Sequence, residues 1–455
     1  MSDETPTWGI EPVPERLRVL GLLDTTLLWT NLGVSLLVLV AASYFGFLGL
    51  TLKEALLATI VGAVIGNAML AGAAAIGTDA RVPTMVLQRA PLGRQGSYLA
   101  TGVNVLQCLG WSVFEILIIA TAASALSERV FGFHAKWLWT LVFGCVAAGL
   151  ALLGPIGVVR RYLKKFAVWA VLASVAYLAW WILEHGQVSK LWAQDAKWDT
   201  HAFWLGADLV VAMTVSWIPL VADYTRFTRT RRDAFWGAGI GYLLPTLFQF
   251  GFGAILVLSH PDISSPTSVV TTIAAGGVAS VLALLALTVD ESDEAFANVY
   301  STAVSIQNIF PRASQRLLIL GVAGLATLGA LAIDLTQYQQ FLLLLGAFFV
   351  PLFGVLLGDW LLRGRAYTPA DVFEAPPYRL EMIAAWLVGF LAYEWIGQPT
   401  GLGFWSDFWI ETVGRPEWLG FGASLPAFAL SLGLALGAGA LVRQSRAQAP
   451  ATAEA

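Results

Sequence analysis

The sequence predicts an all-α integral membrane protein of about twelve transmembrane helices, and three observations carry that prediction. First, the 455 residues are 57% hydrophobic and only 12% charged, about half the charge of an ordinary soluble domain. Second, apolar runs close to the ~20 residues that a helix needs to cross the hydrocarbon core recur along the whole chain. Third, basic residues fall mostly on one side of the alternating crossings. The net charge of −4 adds little beside that arrangement. Cys108 and Cys145 both lie in apolar runs and offer neither a disulfide framework nor a thiolate metal site. His134, His185, His201 and His260 all fall between runs, so no buried histidine cluster is available for metal chemistry. The polar N-terminus leads into a long apolar run, which is not the layout of a cleaved signal peptide.

In order, the runs are 26–48, 55–77, 97–126, 138–158, 166–184, 203–221, 234–259, 276–309, 317–333, 339–362, 381–397 and 421–442. The third is long and the ninth short. With the N-terminus in the cytoplasm, Lys53, Arg129, Lys136, Lys190, Lys197 and Arg415 fall outside and the other 20 of the 26 basic residues inside. One missed or extra crossing would scramble every later segment. Both termini are therefore expected on the cytoplasmic side of the cell inner membrane. Residues 78–96 are too polar to span and read as a cytoplasmic loop with a short interfacial helix. The tail from 443 to 455 reads as disordered.

Polar groups at membrane depth are costly and usually functional. In the first run, "LLWTNLGVSLLVLVAAS", Asn31, Gly33 and Ser35 interrupt the apolar sequence. Close helix packing accounts for small residues here; the functional reading is an unwound stretch whose carbonyls bind a cation. In the third run, Asn104, Gln107, Trp111 and Glu115 follow steps of 3, 4 and 4, which puts them on one helical face. The indole offers a flat stacking surface, and Glu115 can accept hydrogen bonds from an amino-heterocycle or hold a proton. The plainer alternative is an interfacial Trp beside a Glu paired with another helix. In the sixth run, Thr214, Ser216 and Trp217 precede Pro219, which removes a backbone donor. Asp223 and Arg226, three apart, read as a structural or gating ion pair.

The eighth run carries "ALTVDESDEAFANVYS", with Asp290, Glu291, Asp293 and Glu294 inside an apolar segment. Its two halves are each too short to span. Reading the acids as an external loop would invert the side of every later arginine. A broken or cavity-lining helix is therefore expected, because irregular backbone at depth is tolerated only beside protein or water. Ser292 and Asp293 supply hard oxygen ligands for a small cation, and Asn298 can meet both donor and acceptor edges of a polar ligand.

Five stretches in this order carry a resemblance: "WGIEPVP", "LGWSVFE", "ADYTRFTR", "DEAFANVYSTAVSIQN" and "VPLFGVLLGDWLLRGR". The sequence resembles the nucleobase:cation symporter-1 family, most closely its hydroxymethylpyrimidine/cytosine permease branch. The resemblance implies a LeuT-like five-plus-five inverted repeat with two extra C-terminal helices. Its parts would be a cytoplasmic segment 1–25, a first repeat 26–184, a second repeat 203–362, two further helices over 381–442 and a tail 443–455. Trp111 would stack on the heterocycle, Glu115 and Asn298 would contact it, and Ser216 would be the sixth-span contact. A coupling ion would lie between first-span carbonyls at Gly33 and Leu36 and the eighth-span Ser292 and Asp293. Counted back from Asp223, the family's second stacking aromatic falls on Thr214, with Trp217 three residues away on another face. The extra eighth-span acids leave both sodium and protons open as the coupling ion.

The expectation is therefore a monomeric secondary transporter rather than an enzyme. It imports a small aminopyrimidine across the lipid bilayer, with hydroxymethylpyrimidine, a thiamine precursor, first and cytosine second. Asn104, Gln107 and Trp217 complete the substrate set. No cofactor and no nucleic-acid partner are expected. An amino-acid site would need no flat stacking surface, a membrane enzyme would need a catalytic cluster, and a channel would need a repeated pore motif.

Overall fold

The computed structural model describes residues 9–158, 168–260, 262–263, 266–275, 277–333, 338–397, 403–414 and 421–448; side chains of 281–293 lie outside that description. The first run is two helices, α1 (Leu22–Asn31) and α2 (Leu36–Phe47), bent by 53°. The break follows from the sequence. Ser35 is extended and caps α2, its Oγ accepting from the Leu37 amide at 3.1 Å. Next come α3 (Leu52–Gly77), α4 (Ser97–Phe131), α5 (Lys136–Val158) and α6 (Val168–His185). A capping box of Thr51 and Glu54 opens α3, and Gly132, at φ 67°, ends α4 in the left-handed conformation. Helix α7 (Thr200–Val215) is capped by the Asp199 carboxylate. It gives way to a turn around Pro219 and resumes over Val221–Thr225. Then follow α8 (Arg231–Ser259), α9 (Pro266–Ala275), α10 (Val278–Ile309), α11 (Gln315–Ala332), α12 (Tyr338–Leu362), α13 (Leu380–Ile396) and α14 (Ser424–Gln448). Among the described residues, eight helices are long and apolar enough to cross a membrane, or nine with the bent α1–α2 pair as one.

Three expectations are corrected. Of the two forms expected for the eighth run, broken or cavity-lining, the break is absent: α10 is a continuous helix of 32 residues through the acids. Nothing between 278 and 309 is Gly or Pro, whereas Gly277, at φ 103°, takes the conformation that separates α9 from α10. Residues 78–96 hold two short helices packed inside the protein rather than one interfacial helix. These helices, Thr84–Leu87 and Arg89–Leu92, are buried, and Arg89 donates to the side chain and backbone carbonyl of Asn308 on α10 at 2.7 and 2.8 Å. The C-terminal helix continues past Arg443 to Gln448; residues 449–455 lie outside the described set.

Helix α7 lies at the centre, its most apolar window wholly buried, as a helix apolar all round must be. It packs on α3 through glycines. A Cβ at Gly62 would come within 2.5 Å of the Ala207 carbonyl and 2.7 Å of Val210 Cβ, whereas one at Gly102 would meet nothing within 4 Å. Gly62→Ala is therefore expected to cost about 1–2 kcal/mol through forced separation of backbones. Gly102→Ala, in mid-helix, should be neutral or slightly stabilising. Thermal unfolding of the two purified variants distinguishes them.

Candidate functional site

The interruptions in the first and sixth runs face one narrow pocket. Its volume is about 10 Å³, room for about one water molecule, and its walls include Ser35 and Val38 of the first run, Trp111 and Glu115 of α4, Ser216 and Trp217 at the end of α7, and Glu294 and Asn298 of α10. Met213, Leu220 and Tyr242 complete it. Five side chains named from sequence thus meet in one place: Trp111, Glu115, Ser216, Trp217 and Asn298.

Trp111 is held rigidly. Its ring packs edge-on against Tyr338 and Phe341 of α12, at centroid distances of 5.8 and 5.6 Å, an arrangement favoured by the ring quadrupoles. One turn on, Glu115 is 1% exposed, and its Oε1 accepts from Asn298 Nδ2 at 2.7 Å. The same amide nitrogen donates to the Glu294 carbonyl at 3.3 Å. Asn298 Oδ1 is buried and has no protein partner among the described residues. The carboxylate and the amide oxygen are therefore two acceptors on one wall, and a buried acceptor needs a donor.

Asn104 and Gln107 sit on the same face of α4 but do not line the cavity. Gln107 Nε2 donates to Asn104 Oδ1 and to the Ser216 carbonyl, both at 3.0 Å, and Asn104 donates to Ser305 Oγ at 2.8 Å. They tie α4 to α7 and α10 beneath the site, and the Gln107 bond occupies the carbonyl freed where α7 ends.

Trp217 lines the cavity, and Thr214 does not. Thr214 faces α3, where a Cβ on Gly66 would lie 2.8 Å from its own Cβ. Trp217 Nε1 donates to the Tyr242 hydroxyl at 2.8 Å, and its ring meets Trp29 edge-on at 5.8 Å. Tyr242 was not expected as a wall residue; Glu294 fits the cavity-lining alternative for the eighth run.

Among the described residues no direct carboxylate–guanidinium contact joins Asp223 and Arg226, although their charges still attract through space. Arg226 Nε reaches the Asp223 backbone carbonyl at 3.3 Å, while the guanidinium donates to the Gly9 carbonyl at 2.7 Å and the Tyr300 hydroxyl at 3.0 Å. Asp223 Oδ1 accepts instead from the Thr84 amide at 2.9 Å. The short helix ends at Thr225 with Arg226 as its cap, and the guanidinium turns across to the N-terminal segment and α10.

At the break between α1 and α2, Gly33 lies against Pro245 of α8 and Leu36 opens α2, fully buried. Ser292 and Asp293, the other half of the expected cation site, have side chains outside the described residues.

The comparisons agree with this architecture. A family model described as "Permease for cytosine/purines, uracil, thiamine, allantoin" matches residues 12–406. The chain belongs to the nucleobase:cation symporter-1 family. Its similarity to other permeases is distant. Over 260 residues it is 24% identical to "Putative purine-cytosine permease YxlA" of Bacillus subtilis (strain 168), a match spanning 56% of this chain and 55% of that protein. Over 449 positions it is 21% identical to purine-cytosine permease FCY2 of Saccharomyces cerevisiae, covering 90% of this chain and 80% of the yeast protein. Among solved structures, Mhp1, a family transporter, in a closed conformation with bromovinylhydantoin bound superposes with a TM-score of 0.77 at 17% identity, over 97% of this chain and 96% of Mhp1. A sodium-coupled sialic acid symporter gives 0.62 at 9% identity, over 95% and 91%. The fold is therefore that of this family's transporters, and these relatives are permeases and symporters, not enzymes.

Proposed function

We propose that the protein is a secondary active transporter that imports a small aminopyrimidine, cytosine or hydroxymethylpyrimidine, by cation symport with alternating access. The observation that carries this reading is the pairing of an aromatic wall with two acceptors: Trp111 beside Glu115 and Asn298 Oδ1, which has no protein partner among the described residues, lining one pocket. A planar ring packs on the indole. Its exocyclic amino group donates to Asn298 Oδ1. Glu115 accepts a ring N–H or, when protonated, donates to the ring nitrogen beside the amino group. The family's described substrates, and the purine-cytosine names of its relatives, support a nucleobase-type ligand.

A coupling sodium ion would sit at the α1–α2 break near Gly33 and Leu36, with Ser292 and Asp293 opposite; a coupling proton would instead be carried by the carboxyl of Asp293, Glu294 or Glu115. Residues 26–184 and 203–362 form the two inverted repeats, so that the interrupted first and sixth spans are symmetry mates across the site. The protein acts as a monomer in the inner membrane with both termini in the cytoplasm.

Thermal unfolding of the purified protein tests this with cytosine, hydroxymethylpyrimidine, uracil and leucine, each with and without sodium and at two pH values. A ligand that binds only the folded state stabilises it by about 2.7 kcal/mol at a hundred times its Kd. The aminopyrimidines are expected to raise the melting temperature. Synergy with sodium assigns the ion, and synergy with low pH assigns a proton. No shift with any pyrimidine overturns the substrate assignment.

A further inference from the structure

Helix α8 contributes Tyr242 to the cavity wall, yet its larger contact is with the broken first span. Residues at four-residue steps, Gly237, Gly241, Pro245, Gln249 and Gly253, form one ridge of the helix. The ridge follows the first span along its length. Where that span is helical, the ridge residue is glycine and the backbones touch. A Cβ on Gly237 would lie 2.7 Å from Thr25 Cβ, one on Gly241 2.7 Å from the Thr26 carbonyl, and one on Gly253 2.6 Å from Ala42 Cβ. Where the span unwinds, the ridge changes chemistry. The Pro245 ring fills the space beside Gly33, its Cγ 2.5 Å from where a Cβ would stand. One turn on, buried Gln249 Nε2 donates to the Ser35 carbonyl at 3.0 Å. Along its own helix, the Leu39 amide approaches the same carbonyl at 3.5 Å.

We infer that α8 positions both halves of the transport site: Gln249, with Pro245, fixes the carbonyls of the first-span break, and Tyr242 fixes the Trp217 wall through its hydroxyl. The inference deepens the proposed function and rests on reading the break as the cation site and Trp217 as a wall of the substrate site. An amide that holds one carbonyl outward determines where its neighbours point. The Tyr242 hydroxyl likewise determines the plane of the Trp217 indole.

Two near-isosteric variants separate the roles: Gln249→Met, which keeps volume and loses the donor, and Tyr242→Phe. Three readouts are taken on the full-length purified protein: hydrogen exchange of the backbone amides of 31–37, cytosine affinity in saturating sodium, and the sodium concentration that half-saturates cytosine binding. One lost buried hydrogen bond corresponds to roughly a five- to tenfold change in an equilibrium constant. Gln249→Met is expected to speed exchange across 31–37 and raise half-saturating sodium by that factor, with cytosine affinity in saturating sodium little changed. Tyr242→Phe is expected to weaken cytosine by a similar factor and leave exchange at 31–37 and the sodium requirement unchanged. If both variants shift both constants together, the effect is general packing and the inference fails. Unchanged exchange in Gln249→Met also overturns it. A wild-type protein that binds no cytosine, or binds it without regard to sodium, counts against the proposed substrate or ion, while the exchange measurement still decides whether Gln249 holds the break.

Discussion

Trp111→Ala is expected to abolish useful transport, lowering affinity for cytosine or hydroxymethylpyrimidine by up to about a hundredfold. Stacking of a base on an aromatic side chain is worth roughly 1–3 kcal/mol by alanine substitution, about ten- to a hundredfold in Kd. The upper end applies here because Tyr338 and Phe341 hold the ring edge-on, so little ordering remains to oppose binding. Trp111→Phe keeps a flat wall and should retain most of the affinity. The pair of variants, measured by equilibrium binding of radiolabelled ligand, separates stacking from folding: equal losses in both would mean that the indole serves packing alone.

Asn298→Ala is expected to be at least as damaging, with uptake reduced by a hundredfold or more. The substitution removes the acceptor Oδ1 and also the donor that holds Glu115 Oε1 at 2.7 Å. Loss of a partner from a buried, hydrogen-bonded charge costs roughly 2–5 kcal/mol or more. Glu115→Gln should be milder for neutral ligands, because it keeps the shape and one acceptor, but it should remove any dependence of binding on protonation of that carboxyl. Binding of cytosine across a pH series in the wild type and in Glu115→Gln checks this. A pH response that survives in Glu115→Gln places the proton elsewhere, with Glu294 in the same cavity the next group to test.

Much of this arrangement could be read from the chain because it depends on periodicity. The steps linking Asn104, Gln107, Trp111 and Glu115 hold inside one uninterrupted helix, so their shared face survived folding. The small residues Gly33 and Ser35 marked a true break. Trp217 was named for the substrate set, but how it reaches the site was not legible: α7 ends at Val215, and the turn that follows carries Trp217 into the cavity. In α10, four acids suggested a break although Glu and Ala are good helix formers and the flexible residue is Gly277. Tyr242 and Gln249 carried no signal of their own. They are single polar residues in an apolar run, and their meaning lies in the first span they touch.

The central claim is that the Trp111–Glu115–Asn298 cavity recognises an aminopyrimidine. Counterflow uptake of radiolabelled cytosine into proteoliposomes, with unlabelled cytosine, hydroxymethylpyrimidine, uracil or leucine inside, tests it most directly in wild type and Trp111→Ala. The account predicts saturable exchange driven by the two aminopyrimidines, weaker by uracil, absent with leucine and lost in Trp111→Ala. Exchange that proceeds equally well in Trp111→Ala, or that leucine drives as strongly as cytosine, would contradict it.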